Sequence, residues 1–249
     1  MNFLTRNIKY ISSAVFVVII GIVIYFFNVN KPYEDSFFAL DTQVSFKIYC
    51  DRQTADKAFK KARSFLTDFE NEISLYRETG FASQFESLEY GEKLKMSENV
   101  QILLDKSIRV SSMTDGCFDI TTAPLSRLWN VTEETQPPQH DKIEAALKSV
   151  GYKNLKTDGR FLVKKSASID FGAIAKGYAS DKIKEIFLSA DVSGGVVNLG
   201  GNITVFGTNK NKDSFSVGIT DPSDPSKICA AVYVNEESVI TSGAYQRYF

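Results

Sequence analysis

The segment Asp170-Phe171-Gly172-Ala173-Ile174-Ala175-Lys176-Gly177-Tyr178 sets one carboxylate, one cation and two glycines around a predicted strand-to-helix turn. The run Leu162 to Ile169 before it alternates as a strand does, and after Ala173 the apolar residues Ala179, Ile183, Ile186, Phe187 and Ala190 follow helical spacing. A helix N-terminus presents unpaired backbone N–H groups and the positive end of the helix dipole. The turn therefore suits an anion such as phosphate, with Lys176 as counter-charge. Gly172 lets the backbone approach a ligand closely. The same residues also suit an ordinary turn with a solvated lysine, and spacing alone leaves the two readings even. The pattern is neither a Walker A loop nor G-x-G-x-x-G, so no standard nucleotide fold follows.

The opposite end of the chain carries a different constraint. Tyr10 to Phe27 is an uncharged run rich in Val and Ile, preceded by Arg6 and Lys9 and followed by Asn28, Lys31 and Pro32. It sits at the lower edge of the length that spans a bilayer, about 17 residues. No small-residue cleavage site follows it, and the first cysteine is Cys50, which excludes a lipoprotein signal. Residues 1–33 are expected to be an uncleaved membrane anchor, although a buried helix has similar length. Arg6 and Lys9 place its start on the cytoplasmic side, and the body, residues 34–249, on the extracytoplasmic side.

That body has a real core, since 43% of the chain is hydrophobic, and the net charge of −1 argues against a nucleic-acid partner. Cys50, Cys117 and Cys229 lack metal-ligand spacing, and the single histidine, His140, reads as a loop residue near Pro137 and Pro138. Ser-His-Asp and Cys-His catalysis thus have almost no base to draw on.

The remaining pattern predicts an α+β fold. Phe37 to Tyr49 reads as a strand, and Thr54 to Ile73 as an amphipathic helix with Ala55, Ala58, Phe59, Ala62, Leu66, Phe69 and Ile73 on one face. A second helix is expected from about Ser97 to Met113, and a short one from a capping box at Asp141 and Glu144 to Val150, stopped by Gly151. From Gly194 onward the chain turns to strands: Gly195 to Leu199, Asn202 to Phe206, Phe215 to Thr220, Ile228 to Val234 and Ser238 to Thr241.

Three clusters have both a ligand reading and a plain one. Asp119, Thr121 and Thr122 after the Asp115-Gly116 turn suit a polar ligand or local capping. The Gly200-Gly201 pair suits close backbone approach with or without a ligand. Tyr76, just past a helix, suits stacking on a flat ring or covering the core.

In order along the chain these segments resemble the ApbE family, FAD-dependent FMN transferases of the cell envelope. The resemblance runs from Phe37 to Phe249 through Glu72 to Tyr76, the Asp115 to Leu125 segment with Trp129, Asp170 to Tyr178, Asn198 to Gly201, and Thr241-Ser242-Gly243 with Arg247-Tyr248-Phe249. It implies a T-fold-like, two-lobed mixed α/β body. The implied activity is movement of FMN from FAD to a threonine hydroxyl of a partner flavoprotein carrying a Ser/Thr-Gly-Ala-Ser/Thr motif, with release of AMP and a need for Mg2+. An FAD pyrophosphatase and a non-catalytic flavin-binding module are the alternatives.

Position by position, the resemblance implies FAD-binding roles for Asp170 and Lys176, and a metal contact through the Ala173 carbonyl. Cys117, Phe118 and Asp119 fall on the flavin-pocket stretch, Tyr76 on the nucleotide-contacting aromatic, and Leu40 on a position that is usually methionine. Asp41 stands where the family has glycine. No general base is implied. Family members continue past the equivalent of Phe249 into residues that complete the magnesium site. This chain stops before them, so the resemblance implies an incomplete C-terminus and weak activity of this form.

Overall fold

The structure, a computed structural model, describes residues 16, 18, 19, 31–130, 136–209 and 214–243. Its frame is a five-stranded sheet, β1 (Tyr33–Ala39), β2 (Thr42–Tyr49), β6 (Gly194–Leu199), β7 (Asn202–Gly207) and β10 (Ser238–Ile240), in that spatial order. Every pairing in it is antiparallel. Two long helices, α1 (Arg52–Ile73) and α6 (Gly172–Leu188), cover one face.

Alternation in β2 explains that layering. Val44, Phe46 and Ile48 are buried under the helices while Ser45 and Lys47 point away. Phe46 meets Phe187 of α6 edge-on at 5.3 Å and stacks on Phe59 of α1 at 6.2 Å. The buried face of α1 is the seven-residue stripe expected from spacing, and Asp51 caps the helix by accepting the Thr54 N–H.

Between the two long helices lie α2 (Phe81–Ser87), α3 (Glu98–Met113), α4 (Ala123–Trp129), α5 (His140–Leu147) and a 3-10 turn, Tyr152–Asn154. A small sheet of β3 (Lys93–Lys95), β5 (Phe161–Val163) and β4 (Lys156–Asp158) lies among them. A separate hairpin, β8 (Phe215–Asp221) and β9 (Asp224–Val234), packs Phe215, Val217 and Val234 against Tyr49 and Val205 on the other face of the main sheet.

Several expectations need correction. Phe37 to Tyr49 is a hairpin, turning at Leu40 and Asp41, which both adopt positive φ of 51° and 55°. The strand before Asp170 stops at Val163, because β3 offers it only three partners, and 164–171 is irregular. His140 begins α5 instead of lying in a loop, and its Nε2 pairs with Glu144 at 3.2 Å. The N-cap of α5 is Gln139, so Asp141 and Glu144 form no capping box. Among the described residues no helix is long and apolar enough to cross a membrane, and the expected anchor lies outside them apart from residues 16, 18 and 19.

Candidate functional site

One end of the main sheet collects the chemistry. The β1–β2 turn and the β6–β7 turn lie side by side there, because Val44 pairs with Leu199 and the Gly200 N–H donates to the Gln43 carbonyl at 3.1 Å. Gly200 and Gly201 both take positive φ, 61° and 87°. A Cβ on Gly200 would come within 2.0 Å of Thr42 Oγ1, so glycine permits the two turns to touch. Asn198 closes the turn by accepting the Gly201 N–H at 2.9 Å.

The N-terminus of α6 points into this end. Phe171 provides no side-chain cap, and Asp170 Oδ1 accepts the Gly172 N–H at 2.8 Å. The Asp170 N–H itself donates to the Ile120 carbonyl at 2.8 Å, which seats the helix start on the 117–122 loop. That loop is knotted by Asp119. One of its oxygens accepts the Thr121 N–H and Oγ1–H at 2.8 and 2.6 Å, and the other accepts the Tyr152 N–H at 2.7 Å.

Two cavities flank the first turns of α6. The larger, about 510 Å³, is lined by Lys106 of α3, Ala173, Lys176, Asp181, Asn202 and Thr241. The smaller, about 150 Å³, is lined by Leu40, Asp41, Glu70, Tyr76, Asp170 and Lys176. Gly172 and Lys176 belong to both. Lys176 and the helix N-terminus offer positive charge at the junction, with Lys106 adding to it in the larger cavity and Asp41, Glu70 and Asp170 opposing it in the smaller. Tyr76 is 78% exposed at its rim, available to a flat ring instead of covering the core.

A wider groove of about 630 Å³ runs along the opposite face of the sheet past Ser45, Lys47, Asn198 and Ser216. Its charges are already used, Glu34 on Lys47 and Asp35 on Arg63, so its size carries no chemistry.

Leu40, Tyr76, Asp170, Ala173 and Lys176 are thus brought together. Cys117, Phe118 and Asp119 line neither flanking cavity: Cys117 is exposed, Phe118 packs against the core, and Asp119 bonds Thr121 of its own loop and the Tyr152 N–H. Lys106 and Glu70 complete the linings without any sequence signal, each being one charge among many on a helix surface.

A magnesium ion does not fit the described residues by themselves. Among them no three His, Cys, Asp or Glu side chains cluster as ligands. Asp181 is the one carboxylate lining the larger cavity beside Ala173, and eight residues of helix separate the two by about 12 Å.

Antiparallel sheets with helices on one face of the main sheet, and a helix N-terminus opening between two cavities, define an α+β domain. The profile of the ApbE family matches residues 40–249, and the chain belongs to that family. It is 26% identical over 190 residues to the FAD:protein FMN transferase of Vibrio cholerae, covering 74% of this chain and 57% of that protein. The FAD:protein FMN transferase of Klebsiella pneumoniae is 25% identical over 227 residues, 88% of this chain and 69% of that one. The chain spans about half the length of most curated relatives it matches. The crystal structure of the ApbE protein from Thermotoga maritima superposes with a TM-score of 0.81 at 30% identity, covering 88% of this chain and 72% of that one. The apo flavinyl transferase ApbE of Pseudomonas stutzeri does so with 0.77 at 23% identity, over 88% and 73% of the two chains, a likeness of fold.

Proposed function

We propose that this chain serves as an FAD:protein FMN transferase, moving FMN from FAD to a threonine hydroxyl of a partner flavoprotein and releasing AMP. The observation that carries it is Lys176 at the junction of two cavities, where a diphosphate would lie with a flat group on either side. The threonine oxygen attacks the FMN-side phosphorus, the bond from that phosphorus to the bridging oxygen breaks, AMP leaves with that oxygen, and the hydroxyl proton is released to solvent. Lys176 and the α6 N-terminus lower the cost of the charge that builds on the departing AMP phosphate. The acceptor, a protein with a Ser/Thr-Gly-Ala-Ser/Thr motif, and a requirement for Mg2+ belong to the same reading through the family resemblance.

The N-terminal run supports an anchor in the membrane, with the body on the extracytoplasmic side, where envelope flavoproteins would be its partners. The direct test mixes the protein with FAD, magnesium and an acceptor domain bearing the motif, and reads covalent FMN by mass spectrometry. Labelled acceptor together with AMP supports the transferase. AMP without label makes water the acceptor and the chain an FAD pyrophosphatase, and FAD binding without AMP leaves a flavin-binding module.

A further inference from the structure

We infer that Glu70 is a positioning residue that sets the gap between the β1–β2 turn and Tyr76, and through it the grip of the smaller cavity on a flat ring. The inference rests on the FAD reading above. Leu40 and Asp41 form the two central residues of a two-residue hairpin turn, both in the left-handed region. Such turns favour Asn-Gly, Asp-Gly or Gly-Gly, since other side chains are strained in the left-handed region, which makes Leu40 the strained residue here. Neither residue is glycine, so this turn is held from outside.

Glu70, near the end of α1, does the holding. Its Oε2 accepts the Leu40 N–H at 3.1 Å, and its Oε1 pairs with Arg77 Nη2 at 3.3 Å. Arg77 also donates from Nη1 to Asn71 Oδ1 at 2.5 Å, and its N–H, like that of Tyr76, is held by Ser74 Oγ. One carboxylate therefore ties the strained turn to the loop that presents Tyr76. The bond from Glu70 to the Leu40 N–H is part-buried, so water competes less for it than for the more exposed link to Arg77. The same carboxylate, Leu40 and Tyr76 line the smaller cavity together with Asp170 and Lys176, so moving either tied segment changes the opening.

A double-mutant cycle on the full chain tests this, with FAD affinity read by fluorescence in the parent, Glu70→Ala, Tyr76→Ala and the double variant. Glu70→Ala is expected to weaken FAD by about threefold to tenfold in the parent, but by less than about twofold once Tyr76 is gone. Glu70→Gln, which keeps an oxygen for the Leu40 N–H, is expected to fall between. Equal losses in both backgrounds would show that Glu70 does not act through Tyr76, and the inference fails. Hydrogen exchange on the ligand-free protein gives an independent reading. In Glu70→Ala the amides of residues 40–41 and 75–77 are expected to exchange faster together, while those of β8 and β9 stay unchanged. A parent that binds no FAD overturns the transferase reading, and the exchange pattern then decides alone: unchanged amides at 75–77 overturn the positioning role.

Discussion

The Asp119 carboxylate accepts the Tyr152 backbone N–H at 2.7 Å across 33 residues of chain. With its other oxygen on Thr121, it fastens the 117–122 loop to the turn after α5, and Gly151 completes the knot by donating to Thr121 Oγ1 at 2.7 Å. Because Ile120 in that loop receives the Asp170 N–H, the knot supports the start of α6 from below.

Asp119→Ala is expected to cost about 2–3 kcal/mol, the worth of its charge-assisted bonds. The melting temperature of the body should fall by about 5–10 °C, read by circular dichroism. Asp119→Asn, which keeps one acceptor oxygen, should lose about half as much. Unchanged melting in both variants would return Asp119 to a ligand-binding role.

Gly200→Ala is expected to destabilise by at least about 1–2 kcal/mol from the positive φ alone, with the contact to Thr42 Oγ1 adding to it. The Thr42 Cβ would also stand 2.9 Å from the added carbon, so urea unfolding of this variant beside Thr42→Gly and Thr42→Gly/Gly200→Ala separates the two causes. Relief in the double variant shows that the close approach of the two turns matters as well as the dihedral.

Buried Lys164 supplies a pH dependence. Its Nζ donates to the Ala167 carbonyl at 3.2 Å and lies 4.9 Å from the Phe85 ring centroid. Burial pulls its pKa below the ordinary 10.5, opposed by the charge of Glu86. The unfolded chain then holds this proton more tightly than the folded one. The penalty is fully present below the folded pKa, and stability rises as pH climbs from there toward 10.5. Lys164→Met should abolish that rise, measured as unfolding free energy in urea from neutral pH to about 10. A rise identical in parent and variant would assign it elsewhere.

The anchor reading makes a cellular prediction. The protein should stay with membranes through carbonate extraction, and residues beyond Lys31 should be open to protease added to cells with a permeabilised envelope. Recovery of a soluble form beginning near residue 30 would contradict it.

Much of the frame is legible in the sequence because single residues decide it. The stripe from Ala55 to Ile73 follows its period because it buries one face, while the strands after Gly194 show as apolar runs between turns, β7 burying Val205 and Phe206 in two different clusters. The β1–β2 turn is hard to read because Leu40 carries no turn signal, a lone Asp41 is a weak one, and Glu70, thirty residues away, accepts the Leu40 N–H. The irregular stretch 164–171 likewise reads as a strand, because its apolar residues serve the core without a pairing partner. At the site, Asp170, Lys176 and Tyr76 stand in local patterns that mark them. Lys106 and Glu70 arrive from helix surfaces, and tertiary packing alone selects them from among 29 basic and 30 acidic residues.

The central claim is that the α6 N-terminus with Lys176 holds the diphosphate of FAD. Titration of FAD fluorescence with the parent and with Lys176→Ala tests it most directly. Loss of a charge-assisted contact should weaken binding by about tenfold to a hundredfold. Equal FAD affinity in the two proteins would contradict the account and leave Lys176 an ordinary surface cation.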